Sequence, residues 1–410
     1  MELDPIVLSI PIYFALIGLE LLVQFWQHKP IYRLNDALTN ISCGITQQVS
    51  GAFLKIGVLF IYQFVFEQMR LFTIEPGIWS YLGLFILVDF CYYWAHRMSH
   101  EVSLFWGGHV VHHQSEDYNF SVALRQGSFQ AIWTSVFYLP LAFIGFDTVS
   151  FVFINALVTI YQFWIHTEKI GKLGPIEWVF NTPSHHRVHH GRNPKYIDKN
   201  HAGVFIIWDR MFGTFQVEEE TPTYGVTTPV NSWNPVWVNL QFYDFLIKEL
   251  KACTNWQDRM KTLFYKPGWR PKSRGGYMAP PEVDMAGYKK FNPSVSPYLF
   301  WYTLVQYLFA LAGTALFLFN AEAMPLLQQI LCTSIIIATV LNFGWLMENR
   351  ATAWYGEWIR LAATLFLLYW LTPFTLTSLT GLAIVSYLLL SATGLLYIRK
   401  KPKHTVWLSA

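Results

Sequence analysis

Charge is scarce in this 410-residue chain: only 13% of positions are charged, against 53% hydrophobic and 18% aromatic. So few charges exclude a solvated or disordered polymer, and with a positive mean hydropathy they fit a polytopic membrane protein. Cysteine is nearly as rare. Cys43, Cys91, Cys253 and Cys332 form no CxxC pair and no regular framework, which excludes a disulfide scaffold and leaves them as small buried hydrophobes. The net charge is +3, and no basic patch is interleaved with aromatics, so nucleic acid is not expected as a partner. There is no repeat at the roughly 20–50-residue periods of solenoids. The first apolar stretch lacks a basic leader and an A-x-A-like cleavage site and follows Glu2 and Asp4, so it reads as a retained span and not a signal peptide.

What the chain has in abundance is apolar length. A bilayer core takes about 20 mostly apolar residues per helix. Nine stretches approach or reach that length: 6–26, 46–66, 78–95, 128–146, 148–166, 297–319, 325–346, 359–373 and 376–398, the eighth being the shortest. With Glu2 and Asp4 outside, nine crossings place Arg399, Lys400 and Lys401 inside together with nearly every other Lys and Arg. Only Arg70 falls in an outside loop and Lys55 within a span, as the positive-inside rule favours. Four blocks follow: 1–77 with two spans, 78–220 with the histidine-rich core, 221–296 as a cytoplasmic or interfacial segment, and 297–410 with the last spans. Within the third block, 232–264 mixes Trp, Phe and Leu with Lys and Arg, which suits helices lying at the interface or an amphipathic cap. Pro267 through Gly276 reads as a linker.

Eleven of the thirteen histidines fall between His96 and His201, and eight form three boxes: His96/His100, His109/His112/His113 and His186/His189/His190. Spacings of i, i+4 and i, i+3, i+4 on helical turns aim each box to one side. The expected hairpin of the fourth and fifth stretches, turning near Gly145-Phe146-Asp147, brings the loop after the third stretch and the loop after His166 to one face. All-nitrogen ligands without thiolates argue against a structural zinc site and suit iron, zinc or copper. Eight imidazoles exceed what one ion can use, so a dinuclear site is expected. The fold class is therefore an all-α integral membrane protein with about nine transmembrane helices and a cytoplasmic, histidine-rich helical cap holding two metals.

The pattern HX3H, HX2HH, HX2HH resembles the fatty acid hydroxylase and sterol desaturase superfamily of non-haem di-iron membrane enzymes. The strings HRMSHE, HHQSEDYN, ALRQ, HTE, NTPSHHRVHHGRNPKYIDKN and IIWDRMFGTF are similar to the branch of that superfamily that cleaves ether lipids. The resemblance is close over about residues 80–220. It implies two irons, O2, a lipid taken from the bilayer and a reductant from outside the chain, tetrahydrobiopterin or an electron-transfer protein. The product implied is a hydroxylated ether carbon, which collapses to a fatty aldehyde and a glycerol derivative. The resemblance assigns His96, His100, His109, His112, His113, His186, His189 and His190 as iron ligands. His166, which ends the fifth stretch, and His185, which neighbours a box histidine but points about 100° away on a helix, remain open as ligands. His201 lies outside the motif and reads as structural, while His28 and His404 read as surface residues.

Candidate catalytic residues are Asp89 and Glu101. Asp89 lies seven residues before His96 and on the same helical face, where it is expected to accept an imidazole N–H. Glu101 follows His100 and either binds the pterin, orients a histidine or is a solvated acid. Asp117, Glu168 and Asn181 stand as weaker candidates of the same kind, and Arg187 and Arg192 as residues near a lipid head group or pterin. Other readings stay open. A sterol or fatty-acid hydroxylase or desaturase would use the same irons, and no cytochrome b5-like segment is present to supply its electrons. A divalent-metal transporter is disfavoured because its site would sit near the bilayer midplane, and a bis-histidine haem protein would need histidines paired across spans. The expected membrane is the endoplasmic reticulum if the source is eukaryotic and the inner membrane if bacterial.

Overall fold

The computed structural model describes residues 5–284, 287–371, 375 and 378–400; Glu2, Asp4, Lys401 and His404 lie outside them. Among the described residues every regular element is helical, and one isolated antiparallel bridge joins Phe180 to Phe205. Among the described residues six helices are long and apolar enough to cross a membrane: α1 (Leu8–Gln27), α2 (Leu34–Met69), α3 (Ile78–Glu101), Pro297–Ala323, Leu326–Met347 and Gly381–Arg399. Trp26, Ile56, Phe60 and Trp79 expose most of their surface on these helices. Such apolar faces are an aggregation hazard in water and are satisfied by lipid, so the chain is an integral membrane protein.

Six such helices replace the nine expected, and the reasons are local. The 128–146 stretch is apolar but not one helix: it breaks into Gln130–Thr134, the 3-10 turn Ser135–Tyr138 and Leu139–Ile144. Its partner Thr148–Tyr161 has 14 residues and rises about 21 Å, short of a hydrocarbon core of roughly 30 Å. Between them Gly145 adopts φ +124°, and a Cβ there would come 2.1 Å from the Phe72 carbonyl oxygen. Asp147 then caps Thr148–Tyr161 by accepting the Ser150 N–H at 2.9 Å. The hairpin is thus present but too short for two full crossings. It packs through Leu141, Phe146, Phe151, Ile154 and Val158 against Tyr62, Leu84 and Val88, with Tyr62 stacked on Phe151 at 4.4 Å. The third difference is Thr352–Leu371, a 20-residue helix made less apolar by Glu357 and Arg360.

The chain divides into two compact units, residues 1–230 with 239–290 and residues 231–238 with 291–410. In the first, α2 (Leu34–Met69) has 36 residues and is about 54 Å long, well beyond a bilayer core. Its first turns are polar and buried, with Asp36, Thr39, Asn40, Ser42 and Thr46, and they wall the histidine centre. α3 (Ile78–Glu101) carries the first box in its last two turns, and after the extended Val102 the chain re-enters a helix as α4 (Ser103–His113). The third box lies on Pro183–His190, which Pro183 opens at a position where a missing N–H costs nothing. Helices also form at Pro235–Ala252 and Trp256–Phe264, within the segment expected to be interfacial. The second unit packs Pro297–Asn320, Leu326–Met347, Thr352–Leu371 and Leu379–Lys400.

Candidate metal centre

All three boxes are buried and converge. Two groups of imidazoles have ligand atoms lying within 4.8 Å of one another: His96, His100, His109, His113 and His189 form one, and His112, His166, His186 and His190 form the other. The groups adjoin, since the His113 ring stacks on His190 at 4.4 Å between centroids. α3 gives both of its box histidines to the first group, whereas α4 and Pro183–His190 each contribute to both groups, because i and i+3 or i+4 side chains share a face while their rotations differ slightly. His109 and His113 of α4 face one group and His112 the other; His189 and His186 divide in the same way.

The proton positions follow from the partners. A carbonyl oxygen only accepts, so a ring nitrogen bonded to one must carry the proton and leave the other nitrogen with a free lone pair. His96 Nδ1 donates to the His201 carbonyl at 2.8 Å, His112 Nδ1 to the Arg125 carbonyl at 2.9 Å, His166 Nδ1 to the Gln162 carbonyl at 2.8 Å and His189 Nδ1 to the Lys199 carbonyl at 2.9 Å. His109 Nδ1 donates to the Gln130 side-chain oxygen at 3.2 Å. The Nε2 atoms that remain face one another: His96 and His109 at 2.9 Å in the first group, His112 and His166 at 3.2 Å in the second. Two lone pairs at such distances repel unless a cation lies between them. In addition, Nε2 of His100, His189 and His190 are buried without a protein partner. The donor set therefore fits two metal ions, one in each group, with outer partners that fix the ligand tautomers.

Burial acts in the same direction. Removal from water pushes the His112 imidazole down to about 4. Burial first, then repulsion between neighbouring rings, holds His109, His113, His186, His189 and His190 well below the ordinary imidazole range. The rings are thus neutral, as metal ligands must be.

The chain enforces this arrangement through close backbone approach. A Cβ on Gly127 would lie 1.9 Å from the Gly108 carbonyl oxygen, so only glycine lets the segment carrying Gln130 reach the second box. Arg125 is buried and spreads its guanidinium to the Val111 carbonyl at 2.7 Å, Asn40 at 2.9 Å and Gln114 at 3.2 Å, which fixes the carbonyl that receives His112. Arg125, Gln130 and Gln162 were not expected as site residues. Arg125 left a signal as part of the ALRQ string, and Gln162 left one because it precedes His166 by four residues and its carbonyl lies at a helix end, where acceptors are free.

The other expected residues are placed as follows. Asp89 does not accept from an imidazole: it takes the Val204 N–H at 2.7 Å, the Phe205 N–H at 3.0 Å and the Trp208 indole N–H at 2.9 Å. The 203–208 segment crosses that face of α3 and takes the carboxylate in place of an imidazole. Glu101 accepts from Arg97 at 3.1 Å and stays part-exposed. His185 lies outside both groups, its ring packing edge-on against Phe215 at 5.4 Å. Asp117 pairs with Arg33 and Lys290 at 2.8 and 2.6 Å. Burial raises the Glu168 carboxyl. Asn181 donates to the Ala202 carbonyl at 2.7 Å, and Arg187 is held in a two-pronged pair with Glu218 at 2.7 Å. Arg192 lies 4.2 Å over the Tyr288 ring.

Comparison with known proteins agrees with this centre. The fatty acid hydroxylase family model matches residues 81–214, the span that carries all three boxes. Alkylglycerol monooxygenase of Homo sapiens is 41% identical over 354 residues, covering 85% of this chain and 79% of its own length. The enzyme of the same name from Xenopus tropicalis is 39% identical, covering 87% and 80%, and that from Danio rerio is 35% identical, covering 85% and 79%. No solved structure matches. At this identity and coverage, and with the histidine centre inside the matched domain, the chain belongs to the alkylglycerol monooxygenase family of fatty acid hydroxylase-type membrane enzymes.

Proposed function

We propose that this chain is a di-iron monooxygenase that hydroxylates the ether-linked carbon of alkylglycerols, releasing a fatty aldehyde and a glycerol derivative. The observation that carries this reading is the pair of facing Nε2 lone pairs, one pair in each histidine group, inside a domain shared with lipid monooxygenases. Bound iron would supply the oxidising power that attack on an ether-adjacent C–H bond needs and that acid–base side chains lack. His96, His100, His109, His113 and His189 hold one ion, and His112, His166, His186 and His190 the other.

The remaining work falls to the chain. Backbone carbonyls of His201, Arg125, Gln162 and Lys199 orient the rings and keep their metal-facing nitrogens deprotonated. Burial of the cluster excludes water from the oxidising site. The lysines and arginines around the boxes argue for a cytoplasmic-side centre, reached by a lipid whose head group stays at the interface. Glu101 ends α3, is part-exposed and pairs with Arg97, and on that exposure we assign it to binding reduced pterin arriving from outside the chain. Full-length protein loaded with iron should release fatty aldehyde from a glyceryl ether in the presence of O2 and tetrahydrobiopterin. Turnover only with a ferredoxin or cytochrome donor, or only on a sterol or free fatty acid, would contradict this assignment.

A further inference from the structure

His201 follows the last box by eleven residues and belongs to neither histidine group, yet it is the most conspicuous unsatisfied side chain beside them. It is fully buried, at 0% exposure, and both of its ring nitrogens lack a partner. Its ring centroid lies 5.0 Å from His100, 5.6 Å from His189 and 5.7 Å from His96, all three members of the five-histidine group. Neighbouring rings within that group are spaced similarly, at 4.4 Å for His96 and His189 and 6.5 Å for His109 and His189. The His201 ring therefore borders the five nitrogens that converge within 4.8 Å without being one of that set.

Its placement is enforced. Asp209 accepts the His201 and Ala202 N–H groups at 2.8 Å each, and Asp89 clamps the next turn through Val204 and Phe205. Two buried carboxylates thus pin a segment of a few residues whose one ionisable ring is His201, and whose carbonyl already fixes the tautomer of His96. Leaving both nitrogens of a buried imidazole unpartnered is costly, and coordination would relieve one of them.

We infer that His201 is an auxiliary ligand of the five-histidine position, supplying a sixth imidazole to the metal ion there. With six imidazoles that ion would have no place left for a small ligand, whereas the four-histidine position of His112, His166, His186 and His190 would keep open places. The two positions then differ in kind: the first is closed to small exogenous ligands, and the second is where they bind. This inference rests on the two-metal reading above.

The test uses full-length protein loaded with iron and titrated with azide, a small anion that occupies only open metal positions, with metal content measured in parallel. The wild type should bind two metals and one azide per chain. The variants His201→Gln and His201→Phe should bind a second azide and lose one of their two metals to a chelator on the order of ten-fold faster. A role confined to packing would alter stability without creating an azide site. Two azides on the wild type, a result that needs no variant to fold, would overturn the inference, as would a single azide on a folded variant. Both of those outcomes leave the two-metal reading intact. Failure of the wild type to bind any metal would overturn that reading and the inference together.

Discussion

The two units each bury a polar cluster in an apolar helical bundle, and they do so in opposite ways. In the second unit Glu357, at 0% exposure, accepts from Tyr302 at 2.7 Å, Asn342 at 2.9 Å and Arg360 at 2.6 and 2.9 Å. Arg360 also donates to Gln306 at 2.6 Å and Tyr387 at 3.2 Å. Each charge there is answered by the protein itself, so the cluster is closed and reads as a staple joining all four helices. In the first unit the ligand nitrogens of nine imidazoles crowd together, and protein oxygens answer the outer nitrogens of five of those rings, His96, His109, His112, His166 and His189. A buried polar group without a partner is expensive, so the histidine cluster is complete only with something the chain does not contain. The contrast separates a site from a scaffold: both are buried and polar, and only one is left open.

The largest effect that would sharpen this contrast is on the open cluster. His112→Ala or His189→Ala should lower aldehyde release by more than about 100-fold, beyond the 10–100-fold typical of outer-shell changes, and should reduce bound metal. Activity within ten-fold of wild type would break the assignment. At the closed cluster, Arg360→Met leaves the buried Glu357 carboxylate without its counter-charge and should cost about 3–5 kcal/mol of stability, whereas Glu357→Leu combined with Arg360→Met should cost less, because no uncompensated charge remains. Chemical denaturation in detergent reads both, and metal content of the folded fraction should not change. A metal loss in these variants would mean that the second cluster is not merely a staple.

A subtler test lies one layer out. Gln130→Leu removes the acceptor that fixes His109 and should weaken metal binding about ten-fold with the fold intact, measured by competition with a chelator. The smallest effect is on pH. In metal-free protein the folded state holds His112 near 4, while the unfolded chain takes up the proton near 6.5. Stability contributed by that neutral ring is therefore complete above pH 6.5 and declines as pH falls toward 4, by up to about 1.4 kcal/mol for each unit. Melting at pH 7.5 and pH 5 should show this loss, and metal loading should diminish it.

The sequence carried much of the centre and less of what surrounds it. The eight box histidines were legible because helical spacing aims them without help from tertiary contacts. His166 was legible as a candidate because the hairpin ends there. His201 was read as structural, since a lone histidine after the motif has no periodicity to mark it. Its position depends on Asp89 and Asp209, which lie 112 and eight residues away in the chain and meet it only in the fold. The hairpin's length was misjudged for a related reason: hydropathy counts apolar residues, while Pro140, Gly145 and the 3-10 turn at Ser135–Tyr138 decide whether they form one straight rod.

The most direct test of the central claim is metal analysis and absorption spectroscopy of the purified, full-length protein. Two irons per chain without a Soret band are predicted; zinc, haem or a single ion held by all nine histidines would contradict it.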